Sequence, residues 1–151
     1  QPHVKFTLDL PKEAIWIDAD ASMIGRAVTN LLKNAGESID DRKAYQPDHE
    51  GEIRITAAQT DRSVVVEISD NGAGLPEDRA RLLEPYVTNR LSGTGLGLSI
   101  VVKTIEEHGG TFALTDAEAF DATARTGAKA VIKLPRLSDS AAQKIDLGIP
   151  A

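Results

Sequence analysis

Three short blocks bring together residue types that do chemistry. In Asn30-Leu31-Leu32-Lys33-Asn34 a four-residue interval sets two carboxamides one helical turn apart. A carboxamide oxygen is a neutral, hard donor suited to Mg²⁺, which takes few protein ligands and completes its shell from water and phosphates. The same pair also fits solvated surface amides or local caps. In Asp70-Asn71-Gly72-Ala73-Gly74-Leu75-Pro76 a carboxylate closes an apolar strand pattern, and two glycines follow. Such a carboxylate can accept a hydrogen bond from an exocyclic amino group, while the glycines let backbone approach a flat base, as a seat for adenine requires. A tight turn accounts for the same residues, because Asn-Gly is itself a turn signal. In Gly93-Thr94-Gly95-Leu96-Gly97-Leu98, alternate glycines lead into a helical pattern. The unpaired N–H groups of a helix start suit phosphate oxygens, and a flexible loop is the other reading.

These blocks need elements to hold them. Residues 4–10 alternate in polarity and 14–18 form a short apolar run around Ile15, Trp16 and Ile17; both read as strands. From Asp20, an N-cap type, the apolar residues Ile24, Ala27, Val28, Leu31, Leu32, Ala35 and Ile39 recur at three- and four-residue spacing. The spacing predicts one long amphipathic helix ending near 40–43. After a polar loop, 52–58 and 63–69 both alternate and are joined by a polar turn, a hairpin-like pair. The glycine-rich loop 70–75 follows, then a short helical stretch at 78–83. Leu98, Val101, Val102 and Ile105 define a second helix stopped by Gly109-Gly110, and 111–115 and 128–134 are the last strands. Pro135 ends the pattern, and 138–151 reads as a flexible C-terminal tail after a domain at 1–137. This order predicts an α+β fold, a two-layer α/β sandwich with helices on one face of a mixed sheet. A nucleotide site in it is not of the dinucleotide-fold or P-loop kind, since neither glycine signature occurs.

Composition narrows the classes further. The 151 residues, 41% hydrophobic and 26% charged, suit one globular domain with a real core. A net charge of −6 argues against a general electrostatic hold on nucleic acid or anionic lipid, so any anion must be gripped locally. There is no cysteine, which excludes disulfides, zinc–thiolate sites and thiol nucleophiles. No apolar run nears the roughly 20 residues that span a bilayer. The Gln1-Pro2-His3 start, without Met and almost directly at a strand, is expected to be the edge of a piece from a longer chain.

In order and spacing the three blocks resemble the N-box, G1 box and G2 box of the GHKL (Bergerat-fold) ATPase superfamily, which includes histidine kinases, gyrase B, Hsp90 and MutL. The resemblance covers 4–135. Asn30-Leu31-Leu32-Lys33-Asn34-Ala35 and the uninterrupted Gly93–Leu98 block are similar to the catalytic and ATP-binding domain of sensor histidine kinases. Glu84-Pro85-Tyr86-Val87-Thr88 matches the F-box slot, with Tyr for the commoner Phe, and is most similar to nitrogen-regulation kinases of the NtrB and NtrY type.

The resemblance implies that Asp70 bonds the adenine amino group, with Gly72 and Gly74 beside the base. Asn34 then ligates Mg²⁺, and Asn30 touches phosphate or water. Gly95 and Gly97 bring backbone N–H groups to the phosphates, within a nucleotide-binding stretch that includes Gly93, Thr94, Leu96 and Leu98. Residues 76–92 become an ATP lid, anchored by Tyr86 beside Thr88. Lys33 and Arg90 are candidates for added positive charge at the phosphates, or ordinary solvated cations. It further implies ATP and Mg²⁺ as ligands, with transfer of the γ-phosphoryl group to a histidine on a separate upstream dimerisation domain. The full protein would be a homodimer that acts on a response regulator through that histidine. The domain would work in the cytoplasm without touching nucleic acid or membrane, in a protein of a kind that can be anchored in the inner membrane. Gyrase-like and Hsp90-like members carry a water-activating glutamate where this chain has Asn30, and an amide is no general base at neutral pH. A GHKL ATPase and an anti-sigma-factor serine kinase are the rival readings. His3, His49 and His108 lack the exposed hairpin helix of a phosphoacceptor, so no catalytic side chain beyond the ATP site is expected, nor autophosphorylation of the chain alone.

Overall fold

The computed structural model of the chain describes residues 4–75, 97–118, 120 and 127–137. Its elements are β1 (Lys5–Asp9), α1 (Ala21–Tyr45), β2 (Glu52–Gln59), β3 (Ser63–Asp70), α2 (Gly97–Glu107), β4 (Thr111–Asp116) and β5 (Ala128–Pro135). The strands form one sheet in the order β1-β2-β3-β5-β4. β1 lies parallel to β2 and the other pairs are antiparallel, which makes the sheet mixed as expected.

Period-2 alternation decides which face is buried. Ile53, Ile55 and Ala57 of β2 pair with Asp70, Ile68 and Val66 of β3, and Val66 and Ile68 pair in turn with Ile132 and Ala130 of β5. Ile53, Ile55, Val66, Ile68, Ala130 and Ile132 meet Ala27, Leu31, Ala35 and Ile39 from α1 and Val101 and Ile105 from α2 in a single core. Ile39, Ile53, Ile105 and Val101 are fully buried. Each contributes roughly 1.5–3 kcal/mol on removal from water. Both helices thus cover one face of the sheet.

Local chemistry sets the helix ends. The Asp20 side chain accepts a bond from Met23 N–H at 3.0 Å, and Arg42 and Lys43 occupy the last turn of α1, where the helix dipole favours cations. At the end of α2, Gly109 adopts φ +76° and Gly110 N–H reaches back to the Ile105 carbonyl at 2.9 Å, a glycine-closed terminus. His108 ties the two helices together: its Nδ1 lies 2.7 Å from the Thr104 carbonyl, while Nε2 accepts from Asp20 N–H at 3.1 Å.

One expected strand is absent. Residues 14–18 belong to no strand. Ile15 and Ile17 instead turn onto Ile24, Val28, Val66 and Leu134, lining a half-open aliphatic cavity of about 240 Å³. This segment's backbone is tied to the last described residue by a bond from Leu137 N–H to the Trp16 carbonyl at 2.9 Å. The chain therefore stays in register with the domain two residues past Pro135. The expected short helix at 78–83, the lid 76–92 and the tail 138–151 lie outside the described residues.

Candidate nucleotide site

Helix α1 carries polar residues at four-residue intervals, Asn30, Asn34, Ser38 and Arg42, and so on one side of the helix. Asn30 and Asn34 are half-buried, and neither carboxamide has a hydrogen-bond partner among the described residues. A Cβ placed on Gly97 would lie 3.9 Å from both Oδ1 and Nδ2 of Asn34, so the first residue of α2 faces that carboxamide directly. The first turn of α2 holds no acidic residue to occupy its N–H groups. The helix dipole therefore presents partial positive charge toward Asn34. Leu98 packs into the core and fixes the start of α2. Lys33 is exposed. Tyr86, Thr88, Arg90, Gly93, Thr94, Gly95 and Leu96 lie outside the described residues.

Asp70 ends β3 on the helix-covered face and is 4% exposed. Its Oδ1 accepts from Gly72 N–H at 2.9 Å and Ala128 N–H at 3.4 Å. These two bonds from main-chain donors fix the direction of the carboxylate. The second bond depends on residue 127 being glycine, since a Cβ there would overlap the Asp70 main chain and lie 2.8 Å from its Oδ1.

The loop after Asp70 is held to α1 and β2. Asn71 Oδ1 accepts from Glu52 N–H at 2.7 Å, and Asn71 Nδ2 donates to the Glu50 carbonyl at 2.9 Å. Its own carbonyl accepts from Arg42 Nη1 at 2.7 Å. Ala73 N–H lies 3.0 Å from both the Oγ and the carbonyl of Ser38. Between these anchors, Gly72 lies against Ser38 so closely that a Cβ would sit 2.5 Å from the Ser38 carbonyl carbon. Gly74 has φ +85°. Close approach is thus the structural reason for glycine at 72, and left-handed backbone the reason at 74.

Beside this loop, Glu52 is held below the ordinary carboxylate value of 4.5, chiefly by the hydrogen bond from Arg54 and then by Thr7, against the opposing pull of burial. Arg54 Nε lies 2.8 Å and Thr7 Oγ1 2.7 Å from Glu52 Oε2, fastening β1 to β2. Of the described histidines, His108 has its Nε2 bonded to Asp20 N–H, and His49 has its Nε2 buried without a hydrogen-bond partner among the described residues. No helix among the described residues is long and apolar enough to cross a membrane, and no cluster of His, Cys, Asp and Glu among them could hold a metal.

Of the residues singled out in the sequence, Asn34, Asp70, Gly72, Gly74 and Gly97 lie in the arrangement described above. Ser38 stands just past the first block without a role, Asn71 reads only as part of a turn, and Arg42 and Gly127 are not singled out. The extension of the Asn30–Asn34 interval to Ser38 and Arg42 was the available signal.

This fold has counterparts among known proteins. The chain belongs to the histidine kinase-, DNA gyrase B- and HSP90-like ATPase family, whose pattern it matches over residues 19–138. Within that family it is a sensor-kinase type of ATP-binding domain. It is 49% identical over 119 residues to nitrogen regulation protein NtrY of Azorhizobium caulinodans, an alignment covering 77% of this chain and 15% of that protein. Against sporulation kinase B of Bacillus subtilis the identity is 34% over 120 residues, covering 79% of this chain and 25% of that protein. The chain thus spans about a quarter or less of the length of these relatives. The solved structure of a mycobacterial sensor histidine kinase, MprB, superposes with a TM-score of 0.74 at 27% identity, over 89% of this chain and 83% of that one. The α+β sandwich read from the sequence is the fold of these domains.

Proposed function

We propose that this chain binds ATP with Mg²⁺ and donates the γ-phosphoryl group to a histidine on a separate dimerisation domain of a two-component sensor kinase. The carrying observation is the Asn34 carboxamide facing the first residue of α2, with the buried Asp70 carboxylate opening a loop that is bonded to Ser38 and Arg42 of α1. Asp70 would take the adenine amino group, with Gly72 and Gly74 beside the base. The N–H groups opening α2, together with Gly93, Thr94, Gly95 and Leu96, would take phosphate oxygens, and Asn30 would contact phosphate or water. Lys33 and Arg90 would add charge, and Tyr86 and Thr88 would belong to the lid 76–92.

A single neutral oxygen donor on α1 fits Mg²⁺, which demands few protein ligands when phosphates are present. Asn34 would hold the ion, which supplies neutralisation of phosphate charge when bound. The work left to the protein is alignment. Phosphoryl transfer needs positioning and electrostatic stabilisation more than covalent help, so amides, main-chain donors and a base-binding carboxylate suffice. Asn30 cannot take a proton from water, which supports a kinase over a hydrolase of the gyrase or Hsp90 type. The domain would occupy 1–137, with 138–151 as a flexible tail. The full protein would be a homodimer with this domain in the cytoplasm, serving nitrogen regulation through a response regulator.

Incubation with γ-labelled ATP tests this reading. The chain alone should hydrolyse ATP slowly and acquire no label, while a histidine-bearing dimerisation domain of an NtrY-type kinase, supplied separately, should become labelled on histidine. Rapid turnover, or label accumulating on this chain, would contradict it.

A further inference from the structure

Asn30, Asn34, Ser38 and Arg42 make one polar row along α1, and the row has two ends. Asn34 faces the start of α2, whereas Ser38 and Arg42 hold the loop that follows Asp70. At 1.5 Å per residue, Arg42 lies about 12 Å along the helix axis from Asn34.

We propose that Arg42 is a positioning residue for base recognition: by gripping the Asn71 carbonyl from the helix that carries Asn34, it sets where the Asp70 carboxylate stands relative to the phosphate end of the site. Arg42 is 6% exposed, and its bonds run to two neutral oxygens, Gln46 Oε1 and Asn71 O, both at 2.7 Å. Burying a guanidinium costs desolvation that an aliphatic side chain of similar volume would avoid. The bond to the loop is what the cation adds in return.

The linkage is short and stiff. The Asn71 side chain is pinned at Glu50 and Glu52, so its peptide cannot rotate to follow a new partner. Asp70 is the adjoining residue, and its Oδ1 is bonded within the same loop to Gly72. One turn earlier on α1, Ser38 receives Ala73 N–H and lies directly under Gly72. The base end and the metal end of the site therefore share one rigid ruler. Arg42 touches neither ligand in this scheme and acts through Asn71.

The inference rests on Asp70 reading the adenine amino group, and the test separates the two. Calorimetric titration with magnesium ADP and magnesium inosine diphosphate, which has an oxygen in place of that amino group, gives a discrimination ratio. Arg42→Met should lower the ratio at least tenfold, while the gain in ADP affinity on adding Mg²⁺ stays within twofold of the unsubstituted protein. Arg42→Lys, which keeps the charge and a single donor group, should restore part of the ratio. A folded Arg42→Met protein with an unchanged ratio, or one that loses both nucleotides equally, would overturn the proposal. If Arg42→Met fails to fold by circular dichroism, Arg42→Lys decides. A threefold or greater fall in the ratio supports the proposal, and an unchanged ratio overturns it. A parent protein that does not distinguish the two nucleotides, or an Asp70→Asn variant that keeps the full ratio, would overturn the reading of Asp70 and this inference with it. An intact Asp70 effect with a silent Arg42 removes this inference alone.

Discussion

Replacing Gly72 by alanine should unseat the base-binding loop, and the size of the effect follows from the contact with Ser38. The new Cβ would sit 2.5 Å from the Ser38 carbonyl carbon and 2.6 Å from its oxygen. Both atoms belong to the backbone of the 25-residue helix α1 and cannot swing aside. Relief to an ordinary contact near 3.4 Å requires the loop to move by about 0.9 Å. Ala73 N–H, now 3.0 Å from both Ser38 oxygens, would then be about 3.9 Å away, past hydrogen-bonding range. Overpacking costs roughly 1–3 kcal/mol and the lost bond roughly 0.5–1.5 kcal/mol, so the substitution should destabilise by about 2–4 kcal/mol. For a chain of this length that lowers the melting temperature by roughly 5–15 °C. Differential scanning calorimetry measures the shift, and nucleotide titration at a temperature where the variant is folded measures the site. A melting point within 2 °C of the parent, with unchanged nucleotide affinity, would refute the reasoning.

Other substitutions probe separate links. Asp20→Ala removes the cap on α1 and should cost about 1 kcal/mol in urea denaturation, without changing nucleotide selectivity. Gly127→Ala should weaken adenine nucleotide binding more than it weakens pyrophosphate binding in calorimetric titrations, because its Cβ meets the Asp70 main chain. The folded-state pKa of Glu52 is depressed, so its stabilisation is complete above the ordinary value of 4.5 and is lost as pH falls through the lower folded value. Glu52→Gln should therefore lose less stability than the parent when thermal melts are compared between about pH 5 and pH 3.

Much of the molecule was legible because the relevant signals are local. The α1 stripe from Ile24 to Ile39 repeats at helical spacing, and Asp20 announces its start. The β2 and β3 alternation fixes which face meets the helices. The Ile15-Trp16-Ile17 run defeated the same logic. An apolar run records burial, and Ile15 and Ile17 are half-buried, lining an aliphatic cavity with residues of α1 and the sheet without joining a strand ladder. At the candidate site, Asp70 and Asn34 stand out in the sequence because few residue types can do the chemistry proposed for them. Arg42 was not, since a basic residue in the last turn of a helix looks like an ordinary partner for the helix dipole until its bond to the Asn71 carbonyl is seen. Gly127 follows a long separation in sequence from Asp70, and only the pairing of β3 with β5 brings them together.

The central claim is an ATP site whose metal-dependent part rests on Asn34. Calorimetric titration of ATP into the protein and its Asn34→Ala variant, each with Mg²⁺ and with chelator, tests it most directly. The parent should show one saturable site, tightened at least tenfold by Mg²⁺, and the variant should keep the weaker metal-independent binding while losing the gain. No binding by the folded parent, or a full Mg²⁺ effect surviving in the variant, would contradict it.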